Sequence, residues 1–595
     1  MADFLAAPLA FVASVWDGDA ERCAANCAAQ VGNGAPKVPL LLRSAYLSGA
    51  IQPRTLVRFV GMVQDMANPE YYVTAATVDG APRYGIFRDD LGAGAANVGP
   101  FDAAALASRS PVYCVAAPGQ TAWAAKRIAE QGATLAAAPT DDHARQPHKR
   151  AADSAADGVR GADGEGQGAD GGAGSGDVDM DPGADLSHKA ARTAAGPAAP
   201  SPSTVSPAAV AGLVMECVAR VYPGTGAAPK LNDLVECVAI LGGDDAATLG
   251  AEREFAAPAA DEDAMACQDG WGLDDEDAAL WDPPLSQAAR LHVVTMRRLP
   301  SHYPIDLEAT GPLPANELRS AVLARLLSAV GGDALAAEYV LLALLSRVDA
   351  RVGAAGARQT VGAMSLQLVA SDAAAAAQLS TSLHAAVSDL VPRCVLLRAS
   401  QLAAPKRAAA GAERLERSTL QFSDGTVAVI HVDGAFATPA ARAAVQQLAG
   451  RAKALVYDFG FTHSAFEVDA PTIVVTTRDF DVSADAKVPH RPADAPPPPP
   501  ADADALRCYL ARARIADVSI DAGAGAAIEA EFVRARAAGS FAADAETAFH
   551  RALTRARLLA KSHAAAALGL DHYRRSNALA GEAVNRAANA PPAGQ

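Results

Sequence analysis

Apolar residues in the first 50 positions recur at helical spacing and are broken by the polar stretch Gly32 to Pro36, which predicts short helices. After Pro53 the period shortens. Leu56-Val57-Arg58-Phe59-Val60-Gly61-Met62-Val63 reads as a strand ending in the turn-rich stretch Asp65 to Pro69. Tyr71-Tyr72-Val73 follows as a second, and Asp79-Gly80 turns into a third at Tyr84 to Phe87. Val112 to Val115 is another, running into Pro118-Gly119 and Trp123. Two more, Met215 to Val221 and Leu234 to Leu241, flank a polar loop. Short strands joined by tight turns are the material of small antiparallel barrels.

The pattern changes beyond a strand at Leu291 to Met296. Leu318 to Val330 and Leu335 to Val348 predict a helical pair, the second with an apolar face broad enough to belong inside a core, packed on a sheet. The runs Thr426 to Gly434 and Pro471 to Thr477 are continuous, β-rich and apolar, as in strands buried on both faces of a parallel sheet, with an Ala/Gln helix and a loop between them. Pro496 to Pro500 is a polyproline spacer. Leu506 to Tyr573 is Ala/Arg-rich and helical, fraying after Asn577. Ala138 to Pro207 holds too few large apolar side chains to offset the entropy of ordering, and it contains a short basic run, His148-Lys149-Arg150, near Arg145. Residues 244–285 are dominated by Asp, Glu and Ala around Trp271 and Trp281. Because strand-like runs resume at Met215, the first insert interrupts one β-rich domain.

At 595 residues the chain has room for several domains with sizeable cores. Half its residues are hydrophobic, but alanine supplies much of that and only 5% are aromatic, so the large side chains available to a core are fewer than the total suggests. The 51 basic and 67 acidic residues give a net charge of -16, which argues against wrapping duplex DNA or lying on a membrane. Eight scattered cysteines, with no C-x-x-C pair, read as reduced intracellular thiols. The apolar run Phe4 to Trp16 has Asp3 before it and bulky Trp16 where a signal peptidase needs small residues, so it is not read as a signal sequence. No uncharged apolar stretch reaches the roughly 18 residues a bilayer span requires.

Gly332-Asp333-Ala334-Leu335-Ala336-Ala337-Glu338-Tyr339 opens a long apolar segment where a nucleotide-binding protein would put its phosphate loop. Such a loop needs a lysine for the β/γ-phosphates and a hydroxyl for magnesium, and Glu338 and Tyr339 occupy those slots. A carboxylate ~4 Å from a phosphate is repelled by about 4 kcal/mol at an effective dielectric of about 20. A structural reading serves equally: Gly331-Gly332-Asp333 ends one helix and caps the next. Asp433, at the end of a buried strand, sits where a Walker B carboxylate would hold magnesium, but Gly434 follows in place of the usual glutamate. Thr476 and Thr477 occupy the place of a polar sensor, and His431 reads as a core or surface histidine. No G-x-S-x-G or H-E-x-x-H motif is present, and no catalytic, metal or cofactor residue is assigned. Arg507, Arg512, Arg514, Arg534 and Arg536 read as a solvated or partner-facing helix surface.

The phrase Val57 to Met66 with Asn68-Pro69-Glu70-Tyr71-Tyr72 closely resembles the mini-chromosome maintenance (MCM) complex-binding protein family. So, in the same order, do Tyr113-Cys114-Val115 with Pro118-Gly119 and Trp123, then Lys230-Leu231-Asn232-Asp233-Leu234-Val235-Glu236, then Gly332 to Tyr339. The resemblance implies a nuclear protein, not an enzyme and without a cofactor, that binds MCM helicase subunits. It implies roles in assembly, maintenance or unloading of that complex during DNA replication and in sister-chromatid cohesion. Chromatin association is then indirect and no membrane is involved.

It also implies a C-terminal half like an MCM-type AAA+ fold that has lost its phosphate loop. The fold class expected is therefore α/β and α+β multidomain, with an OB-like β-barrel region followed by a degenerate AAA+/MCM-like α/β domain and a helical lid. The divisions are a helical segment 1–50, a β-rich part 51–137, a disordered insert 138–207, the β-rich continuation 208–243, an acidic flexible insert 244–287, the α/β core 288–495, the lid 496–577 and a disordered tail 578–595. Two rival readings are an atypical magnesium-dependent ATPase, with Asp433 on the metal and Lys406 serving the phosphates, and a single-strand nucleic-acid binder built on the barrel.

Overall fold

Strands flanking the 131–213 gap belong to one sheet. In a computed structural model, β1 (Leu56–Met66), β2 (Glu70–Val73), β3 (Ala75–Val78), β4 (Ala81–Tyr84) and β5 (Leu106–Val115) precede that gap, and β6 (Glu216–Val221), β7 (Leu234–Leu241) and β8 (Ala288–Arg298) follow it. The structure describes residues 4–130, 214–243 and 285–589, less breaks at 5, 33–37, 79–80, 90–105, 227, 286, 309–310, 354–358, 404–405, 408–414, 417, 435, 437, 459–461, 478–479, 481, 495–496 and 540–544. The expected inserts, with His148-Lys149-Arg150, Trp271 and Trp281, lie outside the described residues, as does the Asp79-Gly80 turn.

The pairings run β1–β7–β8–β6–β5, and β5 pairs again with β1, so each of these five strands has two partners; β2 adds to β5. All are antiparallel except β6–β8, and β3–β4 form a separate hairpin. Two expectations change here. The third strand ends at Tyr84, because hairpin register places Ala75 opposite Tyr84 and Phe87 turns at φ 59°. β8, expected at the head of the α/β core, instead fills the slot between β6 and β7 in the first sheet.

Apolar alternation decides which way β1 faces. Val57, Phe59 and Val63 pack inward with Cys217, Cys237 and Leu291, while Val60 and Met62 pack outward with Tyr113 and with Ile128 of a helix at Ala122–Glu130. Before the strands come α1 (Pro8–Val15), α2 (Ala20–Gly32) and α3 (Arg43–Leu47); the Ala122–Glu130 helix is α4. The seven described cysteines are buried thiols.

The second body begins with α5 (Ala315–Ala329) and α6 (Ala334–Leu345), then the hairpin β9 (Ala350–Val352) and β10 (Gln359–Val361), β11 (Ser365–Val369), α7 (Ala373–Leu390) and β12 (Cys394–Arg398). Next come β13 (Lys406–Arg407), β14 (Leu415–Glu416), β15 (Val427–His431), α8 (Pro439–Ala449), β16 (Ala454–Asp458), β17 (His463–Glu467), β18 (Thr472–Thr476) and β19 (Ala486–Pro489). A five-stranded, wholly parallel sheet runs β12–β15–β18–β11–β19. Its strands are buried on both faces, as their continuous apolar runs require. Val429, Ile473 and Val475 face α5, α6 and α7, whereas Ala428, Ile430 and Val474 face α8 and Tyr457 of a four-stranded sheet, β14–β13–β16–β17.

Four helices follow among the described residues: α9 (Ala503–Ile515), α10 (Ala522–Ala537), α11 (Ala545–Ser562) and α12 (Leu570–Ala588). The tail expected to fray after Asn577 is helical through Ala588, because Leu579 and Ala583 reach the main core; residues 590–595 lie outside the described residues. No single described helix is long and apolar enough to cross a membrane. The α5–α6 pair, which reaches that length, is bent by 118°, and α6 is buried almost all round.

One buried charge has a measurable signature. Lys453 is 2% exposed, with its Nζ donating to the Leu448 carbonyl at 2.6 Å, and burial pulls its pKa from 10.5 down to about 8 against the attraction of Asp485 and Asp469. The folded chain gives up this proton near 8 and the unfolded chain near 10.5, so the penalty is full below pH 8 and fades as pH rises between those values. Lys453→Met is expected to raise stability at pH 7 by about 1–3 kcal/mol, because a buried cation that a carbonyl and the attraction of two carboxylates compensate only in part is exchanged for a side chain of similar volume. Urea unfolding at pH 7 and pH 10 checks it: the gain should shrink at the higher pH.

Candidate functional site

Gly331, Gly332 and Asp333 join α5 to α6 at a helix–helix corner. A phosphate cradle needs a turn from strand to helix, so the comparison placed on Gly332, Asp333, Glu338 and Tyr339 is corrected. These residues form a clasp. Gly332 has φ +82°, and a Cβ on it would lie 2.2 Å from the Ala493 carbonyl oxygen, so only glycine lets the segment after β19 come this close. Ala493 N donates to Gly331 O at 2.6 Å, and His490 Nε2 donates to Val330 O at 2.8 Å.

The wholly buried Asp333 carboxylate caps α6 by accepting from Leu335 N and Ala336 N, both at 3.1 Å, and accepts from Arg491 N at 2.8 Å. Arg586 of α12 donates to its two oxygens at 2.7 and 2.9 Å. Glu338 pairs with Arg319 of α5, and Tyr339 is buried in the core, where desolvation raises its pKa.

In a parallel α/β sheet, ligands lie beyond the carboxyl ends of the strands at the point where neighbouring connections diverge. Here that crevice lies between β11, whose connection leads to β12, and β18, whose connection leads to β19 on the other side. The turn from β11 to α7 reads Val369-Ala370-Ser371-Asp372-Ala373-Ala374, with no glycine and no lysine. Asp372 caps α7, accepting from Ala375 N at 2.8 Å and from Ser371 Oγ at 2.8 Å, and the Ala375 N–H chiefly holds its pKa below the ordinary carboxylate value. The helix end that would receive a phosphate therefore carries its own carboxylate.

Across the crevice, Thr476 Oγ1 accepts from Gln367 Nε2 at 2.9 Å, and Gln367 also holds Phe480 O at 2.9 Å; Thr477 is half-buried at the same strand end. Asp433 is exposed beyond β15, with Ser400 N at 3.0 Å from one oxygen and Ser400 Oγ at 2.7 Å from the other. Burial opposes its ionisation, yet the Ser400 bonds outweigh that and lower its pKa. His431 is buried in β15, and desolvation lowers its pKa. Lys406 lies in the four-stranded sheet, and its side chain is outside the described residues. No group of three or more His, Cys, Asp or Glu residues able to hold a metal occurs among the described residues.

The phrases Gln64-Asp65, Pro118-Gly119, Trp123 and Asn232-Asp233 converge on the joint between the two sheets. A register shift in β1 between Val63 and Asp65 turns this strand end toward the second body, where Asp65 Oδ2 accepts from Leu415 N at 2.6 Å and Gln64 O accepts from Gln421 Nε2 at 2.6 Å. Gly119, at φ +72°, lets its carbonyl accept from Cys394 N at 2.8 Å. Trp123 Nε1 donates to Ser388 O at 2.9 Å and lies 4.1 Å under the Arg507 guanidinium. Asn232 Nδ2 donates to Tyr457 OH at 2.7 Å, and Arg298 bridges Asp233 and Asp424.

The five arginines read as one surface divide. Arg507, Arg512 and Arg514 clip α9 to Asp389 O, Leu307 O and Asp469, while Arg534 and Arg536 are exposed on α10. Asp372, Ser400 and Gln367 were not singled out from sequence. The signal for Asp372 is present: a Ser-Asp pair between a short apolar run and an alanine-rich stretch is a helix cap.

A family profile described as mini-chromosome maintenance replisome factor matches residues 30–587. The mini-chromosome maintenance complex-binding protein of Arabidopsis thaliana is 25% identical over 387 residues, covering 63% of this chain and 60% of that protein. That of Gallus gallus is 26% identical over 341 residues (51% and 49%), and that of Homo sapiens 25% over 361 residues (54% and 53%). The chain thus spans between about half and three fifths of the length of these relatives. With a match running through both sheets, the joint and the terminal helices, the chain belongs to the mini-chromosome maintenance replisome factor family.

Proposed function

We propose that this chain is a nuclear, non-catalytic adaptor that binds subunits of the MCM helicase and acts in assembly, maintenance or unloading of that complex, in DNA replication and sister-chromatid cohesion. Family membership across residues 30–587 is the observation that carries the partner. The ring of five strand pairings, with one parallel pair among antiparallel ones, supports reading the first body as OB-like. The parallel sheet with helices on it, followed by four terminal helices, supports reading the second as a degenerate AAA+-like domain with a lid. A two-body surface shaped like a helicase subunit competes for, or protects, an open subunit interface, and chromatin is reached through the helicase.

The non-catalytic part rests on the β11–α7 turn, where Asp372 holds the helix end and no lysine or glycine is present. Titration with a fluorescent ATP analogue and magnesium is expected to show no saturable binding; micromolar binding lost in Asp433→Ala would replace the adaptor with an ATPase. Capture of individual MCM subunits by the full chain at physiological salt tests the partner. Retention of at least one subunit is expected, and retention of none overturns the proposal.

A further inference from the structure

A cavity of about 530 Å³ opens beside the amino-terminal ends of the parallel strands, between the β9–β10 hairpin, the residues leading into β11, and α11. It lies at the opposite edge of the sheet from Asp372 and Asp433, which follow the strands' carboxyl ends. Four arginines line it: Arg451, Arg551, Arg555 and Arg557. Two carboxylates, Asp485 and Glu546, share the wall, and Asp485 already accepts from Ser365 N and Ser365 Oγ at 3.0 and 3.1 Å.

Arg555 sets this cavity apart. It is 8% exposed, its Nε has no hydrogen-bond partner, and no carboxylate pairs with it among the described residues. The other buried arginines have partners for at least part of the guanidinium: Arg58 bonds to Glu236, Arg109 to Glu70 and Tyr222, and Arg290 to Ala288 O, while Arg393, whose Nε is also unpartnered, donates through its terminal nitrogens to Ser301 O and Tyr303 O; Arg555 makes no hydrogen bond among the described residues. Buried charges are ordinarily paired, because an unpaired one keeps its full desolvation cost. Burial accordingly lowers the pKa of Arg555. Arg551, one turn away, is a weak neighbour to Asp485 at 3.6 Å, and its Nε is also without a partner. The lining also includes the apolar side chains of Val361, Met364, Leu553 and Leu568. The volume is that of a small-molecule site.

We propose that this cavity binds a small organic anion, its phosphate or carboxylate head received by Arg555 and Arg551 and its apolar body held by the wall formed by Val361, Met364 and Leu553. Planar guanidinium groups bind both kinds of head through paired N–H donors. The proposal is independent of MCM binding.

Isothermal titration of the full chain with phenyl phosphate, benzoate and inorganic phosphate tests it. Saturable binding of phenyl phosphate or benzoate is expected, stronger than that of inorganic phosphate, and the better of the two identifies the head group. Arg555→Gln should weaken that binding by about tenfold or more. Arg555→Gln removes an uncompensated charge and is expected to fold. If it does not, Arg551→Gln, whose side chain is 37% exposed, makes the same test with a several-fold loss. Absence of saturable binding of both organic anions, or binding unchanged in the folded variants, overturns the proposal.

Discussion

Asp333→Ala is expected to lower the stability of the folded chain by about 4 kcal/mol, a large part of the roughly 5–15 kcal/mol that holds a protein together. The loss has two sources. Removing the cap of α6 strands the amides of Leu335 and Ala336, which costs about 1 kcal/mol. Removing the carboxylate leaves Arg586, whose side chain is 17% exposed, with only the half-exposed Glu582 at 2.9 Å, so this part of the loss falls at the low end of the roughly 3–5 kcal/mol that breaking a buried pair on one side costs. Asp333→Asn keeps a cap acceptor and should lose less. Because Arg586 anchors α12, amide exchange along Leu570–Ala588 should accelerate more than exchange in β15 and β18. If the corner served a nucleotide instead, Asp333→Ala would leave both the urea midpoint and α12 unchanged.

The corner also explains what could be read from the sequence. β15 and β18 announce themselves as largely apolar runs, and α5 and α6 as a helical pair around Gly331-Gly332, because most of the side chains that these elements send into the core are apolar. β11 and α7 do not. β11 is five residues with Gln367 at its centre, a polar residue made acceptable by its bonds to Thr476 and Phe480, and α7 opens with five alanines, which mask any apolar stripe. With those two elements unseen, the strand-to-helix turn at Asp372 had no frame, and the glycine-rich corner at Gly332 drew the phosphate-loop comparison. A carboxylate does occupy the helix end beside the crevice, but it belongs to Asp372 and not Glu338. The phrases that carry the family resemblance were legible as words and not as contacts: Gln64, Asp65, Gly119 and Asn232 meet partners in the second body more than 150 positions away. Pairings that distant leave no local periodicity.

Glu236→Ala should destabilise the chain by about 3–5 kcal/mol, through the sheet. Glu236 lies in β7 and is 2% exposed; one oxygen accepts from Arg58 Nε of β1 and the other from Arg297 Nε of β8 at 2.6 Å. It therefore links three neighbouring strands of the pairing ring. Arg58 in turn donates to Ile128 O of α4 at 2.9 Å and to Tyr303 OH at 2.6 Å, so losing its counter-charge also loosens the segment leading into the second body. Arg297, whose side chain is 33% exposed, can turn to water when Glu236 is removed; Arg58, at 3%, cannot. Most of the loss should thus be coupled to Arg58. A double-mutant cycle distinguishes this from simple cavity formation. Arg58→Met in the Glu236→Ala background should recover part of the stability, because the stranded cation goes with it, whereas Arg297→Met in the same background should recover almost none. Equal responses to the two arginine changes would mean that Glu236 acts by filling space.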